Sequence, residues 1–144
     1  MINILTGIDS TSAALNAERI RMDVVSQNIA NVNTSRGPDG KPYQRQQVIF
    51  EAVLKDQMDF GAAPGSGAQL VRAARVESAH RPPRMIHMPG HPDADGDGMV
   101  AMPNINIHEE MVDLMAASRS YEANLSVVKT ARSMAQQTLS IGKR

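Results

Sequence analysis

Apolar residues recur at helical spacing at both ends of the chain. In the first 36 residues, positions taken at alternating steps of four and three are apolar at seven of nine places. These positions are Ile4, Ile8, Thr11, Leu15, Glu18, Met22, Val25, Ile29 and Val32. This heptad-like seam predicts a long helix over residues 1–36 that pairs with another helix. Gly37 and Pro38 are expected to stop it.

A second seam runs through residues 104–144, where eight of ten positions are apolar. They are Ile107, Met111, Leu114, Ser118, Tyr121, Leu125, Val128, Arg132, Ala135 and Leu139. Asn106, with Glu109 three residues later, forms a capping-box-like pair and predicts the start of this helix. Glu109 and Glu110 then place favourable negative charge in its first turn. Gly142 and the cations that follow it suit the helix end.

The segment between the seams is rich in turn residues. All eight prolines lie between Pro38 and Pro103. Candidate strands lie at 43–50, 69–77 and 99–102, with turn-rich loops at 37–42 and 61–67. The predicted fold is therefore mainly α with a small β region. Long N- and C-terminal helices, 1–36 and 104–144, pair as an antiparallel coiled coil and flank a central β-hairpin and loop segment, 37–103.

The first seam ends in an uncharged stretch, since residues 24–35 contain no charged side chain. One interpretation is a weakly amphipathic surface helix. The favoured one is a helix packed on several sides, because amides and hydroxyls are cheaper to bury than charges. In the heptad count Asn28 flanks the seam and Asn31 points away from it. The candidate seam and assembly residues are Ile4, Ile8, Leu15, Met22, Val25, Asn28, Ile29, Asn31, Val32, Met111, Leu114, Tyr121, Leu125, Val128 and Leu139.

Composition limits the classes of partner. Fifteen basic and fifteen acidic side chains give zero formal net charge, which argues against nucleic acid or an anionic membrane as partner. Tryptophan is absent and only two Phe and two Tyr occur, so Ala, Val, Ile, Leu and Met must form the core. Cysteine is also absent, which excludes disulfides and thiol chemistry. No apolar run reaches the ~20 residues of a membrane span. The first residues lack the charge and apolar pattern of a cleavable signal peptide. Two such helices are expected to be poorly ordered in an isolated chain.

One stretch suggests a metal site. Residues 93–98 read DADGDG, which matches the opening of an EF-hand calcium loop. The twelfth position of that frame is Asn104 instead of the bidentate glutamate, and Pro103 would break the following helix. His87 and His91 are separated by Pro89 and Gly90, which prevents their presentation on one helix face. A calcium- or metal-responsive helical binding module is kept as the alternative function.

No motif for catalysis is found. The sequence contains no Walker A motif, nucleophile elbow or dinucleotide fingerprint. We therefore expect no enzyme activity, no catalytic or metal-ligating residue, no cofactor and no small-molecule substrate.

Four stretches resemble one known family. DVVSQNIANVNT at 23–34 and MPNINIHEEMVDLMAASRSYEANLSVVKTARSM at 102–134 are similar to the N- and C-terminal signatures of flagellar rod and hook axial proteins. GPDGKPYQRQQVIF at 37–50 and PGHPDADGDGMVAMPN at 89–104 resemble its proximal-rod members. The chain departs from the family pattern at Met99, where an aromatic residue is usual, and at Asp97, which adds acid to the preceding turn.

The resemblance implies a structural role in the bacterial flagellum. It implies a subunit of the proximal rod of the basal body, which assembles helically with copies of itself and other rod proteins and transmits torque from motor to hook. It further implies export through the flagellar type III apparatus without a cleavable signal and a periplasmic location. Within the rod, the terminal helices are implied to form the axial core, with the middle segment outside it.

Overall fold

The computed structural model of the chain describes residues 4–54 and 69–142. Along the sequence, four strands lie between two long helices. The elements are α1 (Ile4–Ala30), β1 (Gln46–Leu54), β2 (Gln69–Ser78), β3 (Arg84–His87), β4 (Met99–Met102) and α2 (Ile107–Ile141). The prediction of a mainly α fold with a small β region is confirmed.

The helices α1 and α2 pack against each other and run antiparallel. Their side-chain contacts pass from Asn28 with Glu110 to Arg21 with Asp113, so residue numbers fall along α1 as they rise along α2. The second helix is longer, with 35 residues against 27. Neither helix, over its described residues, is long and apolar enough to cross a membrane.

Helix α1 lies between α2 and the β1–β2 hairpin, because it contacts both strands as well as α2. Its C-terminal half is correspondingly the most buried part, with Val24, Val25 and Asn28 all at most 5% exposed. Packing on two sides accounts for the absence of charge at the buried positions of residues 24–35. The interpretation of this stretch as a weakly amphipathic surface helix does not fit that burial.

Helix α1 ends earlier than the sequence suggests, at Ala30 instead of next to Gly37. The side-chain amide of Asn31 donates to the carbonyl of Gln27, and the Thr34 hydroxyl donates to the Asn31 side-chain oxygen. Short polar side chains that bond to the local backbone compete with continued helix. A turn over residues 31–33 therefore follows the helix.

Helix α2 begins as predicted. Asn106 is its N-cap, and its side-chain oxygen accepts from the backbone N–H of His108 at 3.0 Å. Its side-chain amide also donates to Glu109 Oε1 at 3.2 Å. At the other end Gly142 donates its N–H to Thr138, while the two following residues lie outside the described part of the chain.

The strands form two separate antiparallel hairpins. In the first, β1 pairs with β2 from Gln46–Ser78 to Leu54–Gln69, with a bulge next to Ile49. The predicted strand at 43–50 starts three residues later, because the N–H of Tyr43 bonds to the carbonyl of Thr34 instead of to β2. The predicted loop at 61–67 lies outside the described residues.

The second hairpin pairs β3 with β4, from Arg84–Met102 to His87–Met99. Strand β4 coincides with the predicted strand at 99–102, whereas β3 was not predicted. Only four residues long and preceded by Pro82 and Pro83, it offers little alternation to recognise. Val100 and Met102 from this hairpin are buried.

The acidic stretch 93–98 builds the turn between β3 and β4. Asp95 Oδ1 accepts from the backbone N–H groups of Asp97 and Met99. Asp93 accepts from the Ser35 hydroxyl at 2.8 Å and pairs with Arg36 at 3.2 Å. These two aspartates thus hold the turn and tie it to the segment that follows α1.

Gly98 closes this turn with a φ of +71°, and a Cβ there would lie 3.1 Å from Pro89 Cβ. We expect Gly98→Ala to destabilise the β3–β4 hairpin by about 1–2 kcal/mol, because an L side chain strains in this backbone region. Hydrogen exchange of peptides covering residues 85–102 should become faster. Gly96→Ala is the control, because the space around Gly96 is open and its φ is not positive. Equal exchange in both variants would contradict this account.

Candidate assembly interface

A buried amide joins three parts of the fold. Asn28 is fully buried, and its side chain makes four hydrogen bonds. Its Nδ2 donates to the Gln46 carbonyl at 2.8 Å and to Glu110 Oε2 at 3.0 Å. Its Oδ1 accepts from the Gln46 N–H at 2.9 Å and from the Tyr43 hydroxyl at 3.0 Å. An asparagine side chain can make no more than these two donated and two accepted bonds.

The carboxylate bonded to Asn28 carries a buried charge. Glu110 is fully buried, and its Oε1 accepts from Arg45 Nε at 2.6 Å. A charge at such a position is tolerated only when it is paired and hydrogen-bonded, and Arg45 with Asn28 meets that requirement. The sequence interpretation of Glu110 as simple favourable charge in the first turn of a helix is therefore incomplete. Its neighbour Glu109 is the exposed member of the pair.

Charged side chains extend this contact along the helix pair. Arg45 also lies 3.6 Å from Asp113, which is 3.3 Å from Arg21 of α1. Arg21 in turn lies 3.8 Å from Glu18, the last member of the series. Alternating charges on α1, α2 and the start of β1 thus favour one arrangement of the three elements.

We call Asn28, Tyr43, Arg45, Gln46 and Glu110 the polar junction. It fastens the end of α1, the start of α2 and the base of the first hairpin to one another. All four hydrogen-bonding positions of Asn28 and both oxygens of Glu110 are used inside the chain. The arrangement is suited to holding elements in place, since these groups are already committed to other parts of the fold.

Metal binding receives no geometric support in the described ranges. No three histidine, aspartate or glutamate side chains of residues 4–54 and 69–142 come together as a possible metal site. The oxygens of Asp93 and Asp95 instead accept the hydrogen bonds of the β3–β4 turn.

Each helix has a buried or half-buried stripe that mixes small, polar and apolar residues. The inner stripe of α1 is Ser10, Ala14, Ala17, Arg21, Val24 and Asn28, and that of α2 is Glu110, Leu114, Ala117, Tyr121, Asn124 and Val128; all are buried or half-buried. Ala17 and Ala117 are among the most buried residues of the chain. Small side chains permit two helices to approach closely. In α1 this stripe lies one residue before the apolar seam seen in the sequence.

The structure distributes the candidate seam residues over three environments. Val25 and Asn28 are buried, whereas Met111 and Leu139 are exposed. The half-buried ones are Ile8, Leu15, Met22, Ile29, Asn31, Val32, Leu114, Tyr121, Leu125 and Val128. The side-chain surroundings of Ile4 lie outside the described part.

Sequence reasoning missed several members of the polar junction and its extension. Tyr43 and Arg45 were placed in a strand, and Asp113 was assigned no role. Nothing in their local sequence specifies a partner about 65 residues away, as Arg45 has in Glu110. The one usable signal was the uncharged stretch 24–35 around Asn28, which made Asn28 a candidate.

Helix α2 carries large apolar side chains on its outer surface. Val112, Met115, Val127 and Met134 are all more than half exposed. Val127, Met134 and Ile141 are spaced by seven and therefore lie on one face. Large contiguous apolar patches on a protein surface are typical of contact surfaces for other proteins.

Replacing Asn28 is expected to loosen the polar junction. Asn28→Ala leaves the Tyr43 hydroxyl, the Gln46 backbone and Glu110 without this partner, at about 1–3 kcal/mol for each group left unsatisfied. We expect the Gln46 amide to exchange with solvent at least about tenfold faster, as a loss of roughly 1.4 kcal/mol requires. Hydrogen exchange with fragmentation measures it. Asn33→Ala is the matched control, since Asn33 is exposed. Unchanged exchange at Gln46 would show that Asn28 does not hold the junction.

Tyrosine ionisation provides a test of the same site. Burial, and secondly the negative charge of Glu110, raise the pKa of Tyr43 above its ordinary value of 10.0. The folded state therefore holds this proton more tightly than the unfolded state. The resulting stability is fully present below pH 10 and is lost as pH rises through the pKa of the folded state.

The absorbance of tyrosinate near 295 nm, compared between the original chain and Tyr43→Phe, isolates the ionisation of Tyr43. We expect the difference curve to have its midpoint above pH 10. Glu110→Gln should lower that midpoint. Tyr121→Phe serves as the control for the loss of one tyrosine. A midpoint at the ordinary value would mean that Tyr43 is not held next to Glu110.

Comparison with known proteins places this arrangement in a family. Residues 8–36 match the family described as flagella basal body rod protein, and residues 97–141 match the C-terminal region of flagellar basal body rod FlgEFG proteins. These ranges include Asn28 and Glu110, the two fully buried polar residues of the described part of the chain.

Relatives match over nearly the whole chain. The flagellar basal-body rod protein FlgC of Salmonella typhimurium is 41% identical, over 97% of this chain and 98% of its own. FlgC of Borreliella burgdorferi is 40% identical with the same coverage. FlgC of Bacillus subtilis is 34% identical, over 94% of this chain and 96% of its own. At this identity and coverage, the chain belongs to the FlgC family of flagellar basal-body rod proteins.

Proposed function

We propose that this chain is a structural subunit of the proximal part of the flagellar rod. It assembles with copies of itself and with other rod proteins into the shaft that transmits torque from motor to hook. Membership of the FlgC family supports the rod assignment, and the role is structural, without catalysis. The proximal position and the neighbours belong to the proposal.

The observation that carries the proposal is the placement of large apolar side chains outside the helix pair. The buried residues of the helices include the small Ala17 and Ala117 and the polar Asn28 and Glu110, while Val112, Met115, Val127 and Met134 face outward. Burying such side chains is favourable by roughly 1.5–3 kcal/mol each. A subunit that leaves them exposed gains this stabilisation when it packs against neighbours.

The polar junction is suited to the mechanical part of this role. A shaft under torque experiences shear between its helices and the segments attached to them. Asn28 and the Arg45–Glu110 pair connect α1, α2 and the base of the first hairpin through directional bonds. Directional bonds resist sliding, whereas apolar contact alone permits it more easily.

The route to the rod also belongs to the proposal. We infer export through the flagellar type III apparatus and assembly in the periplasm. Both inferences rest on the likeness to rod proteins, and the core of the described part is consistent with them. It contains few buried apolar side chains: Ala17, Val24, Val25, Val100, Met102, Ile105 and Ala117. A chain with so small a core is easily unfolded for passage.

The exposed apolar residues Val127 and Met134 of α2 provide the test. In cells lacking the native chain, Val127→Lys with Met134→Lys is expected to reduce motility and the amount of this protein in isolated basal bodies. Both side chains are exposed in the single chain, so its own fold should tolerate the change. Immunoblotting of isolated basal bodies and swimming in soft agar measure the outcome.

Two comparisons make this result interpretable. Gln137→Lys adds positive charge at an exposed position of the same helix and should support normal motility. The amount of each variant released to the periplasm or medium separates failed export from failed assembly. Normal rods in cells that lack the chain altogether would contradict the proposed function.

A further inference from the structure

Each helix has a second stripe of exposed residues on the side away from the helix pair. The outer stripe of α1 is Asp9, Ser12, Asn16, Arg19, Asp23, Ser26 and Ala30. The outer stripe of α2 is Val112, Met115, Arg119, Glu122, Ser126, Lys129 and Ser133. Both have seven members at alternating spacings of three and four, so each forms a continuous line along its helix. Their matching length and spacing permit one to lie along the other.

The charges of the two outer stripes are complementary in one direction. With the stripes antiparallel and their ends aligned, Asp23 lies opposite Arg119 and Arg19 lies opposite Glu122. Asp9, at the far end, lies beside Lys129 and next to Arg132, which are one helical turn apart. Within the described ranges, none of these charges forms an ion pair inside the chain.

The uncharged ends of the stripes also coincide in this alignment. Ala30 and Ser26 of α1 lie opposite Val112 and Met115 of α2. These two exposed apolar residues of α2 therefore meet small side chains that allow close approach. They do not meet a charge, which would be costly to desolvate beside them.

The parallel alignment is less favourable. When the two stripes run parallel with their first members aligned, only Arg19 and Glu122 remain opposite each other. Asp9 then lies against the exposed Val112, and Asp23 lies opposite Ser126. The pattern of charges thus selects the antiparallel direction, because exposed ion pairs contribute mainly to orientation and specificity.

We propose that the outer stripe of α1 in one copy of this chain docks antiparallel on the outer stripe of α2 in the next copy. This interface rests on the proposed function, since it requires copies to be neighbours in the rod. It is heterologous: each copy offers α2 to one neighbour and α1 to the other. Such contacts propagate into a ring or a helical array, which is the kind of arrangement that a shaft needs.

Disulfide formation tests the register. The chain has no cysteine, so two single-cysteine forms with different tags can be produced together in cells that lack the native chain. Ser26→Cys in one form and Met115→Cys in the other should yield a mixed disulfide in isolated basal bodies after mild oxidation. Ser26→Cys with Ser133→Cys, on the same stripes but out of register, should yield several-fold less.

Charge exchange tests the same interface without cysteines. Asp23→Arg alone and Arg119→Asp alone should each reduce incorporation into basal bodies, and the double variant should recover it. Asp39→Arg, an equal change at an exposed loop position, should leave incorporation unchanged. Recovery in the double variant would not follow if each residue acted only within its own chain.

The outcomes distinguish a failure of this docking interface from a failure of the proposed function as a rod subunit. Motile cells in which the in-register cysteines give no more mixed disulfide than the control pair overturn the proposed docking. A double charge variant no better than the single ones does the same. In both cases the role as a rod subunit stands, whereas rods that form without the chain overturn the proposed function itself.

Discussion

The Asn28 side chain and the Arg45–Glu110 pair hold the described fold in one arrangement. An asparagine with all four hydrogen-bonding positions used next to a buried, paired carboxylate allows little alternative geometry. A polar group of this network without a hydrogen-bond partner would destabilise the fold, because a buried group loses its bonds to water and gains none in their place. The helix pair, the first hairpin and the segment after α1 are therefore mutually dependent.

This dependence permits an inverted distribution of side chains. Because directional bonds and small residues secure the contact between α1 and α2, large apolar residues of α2 can remain outside. In a protein that functions alone, such exposure is a liability for aggregation. Under the proposed function, these side chains form contacts between subunits, and the subunit and the assembly would then bury different stripes of the same helices.

Several elements could be predicted from residues alone. The N-cap at Asn106 and strand β4 were predicted because their signals are local: a side chain that bonds two residues away, and a short β-branched and apolar run between turns. The end of α1 and the start of β1 were misplaced. There, Asn31 bonds locally to Gln27, and Tyr43 bonds to a segment that has already left the helix. Competing hydrogen bonds of that kind are not visible in hydrophobic periodicity.

The sequence by itself determined that the chain has a helix near each terminus, that the two helices pair, that residues 24–35 carry no charge, and that the chain resembles one family. These features follow from spacing, composition and contiguous motifs. Only the tertiary structure decided which stripe of each helix faces inward. Hydrophobic periodicity locates the inner face of a helix only to within one residue. In the structure Ala17 and Ala117 are buried, whereas Met22 is half-buried and Met111 is exposed. Which of these residues lies inside affects how closely the two helix backbones approach. It also decided that Glu110 is buried, since a carboxylate in a helix's first turn lies in water unless distant residues such as Arg45 and Asn28 arrive to replace that water.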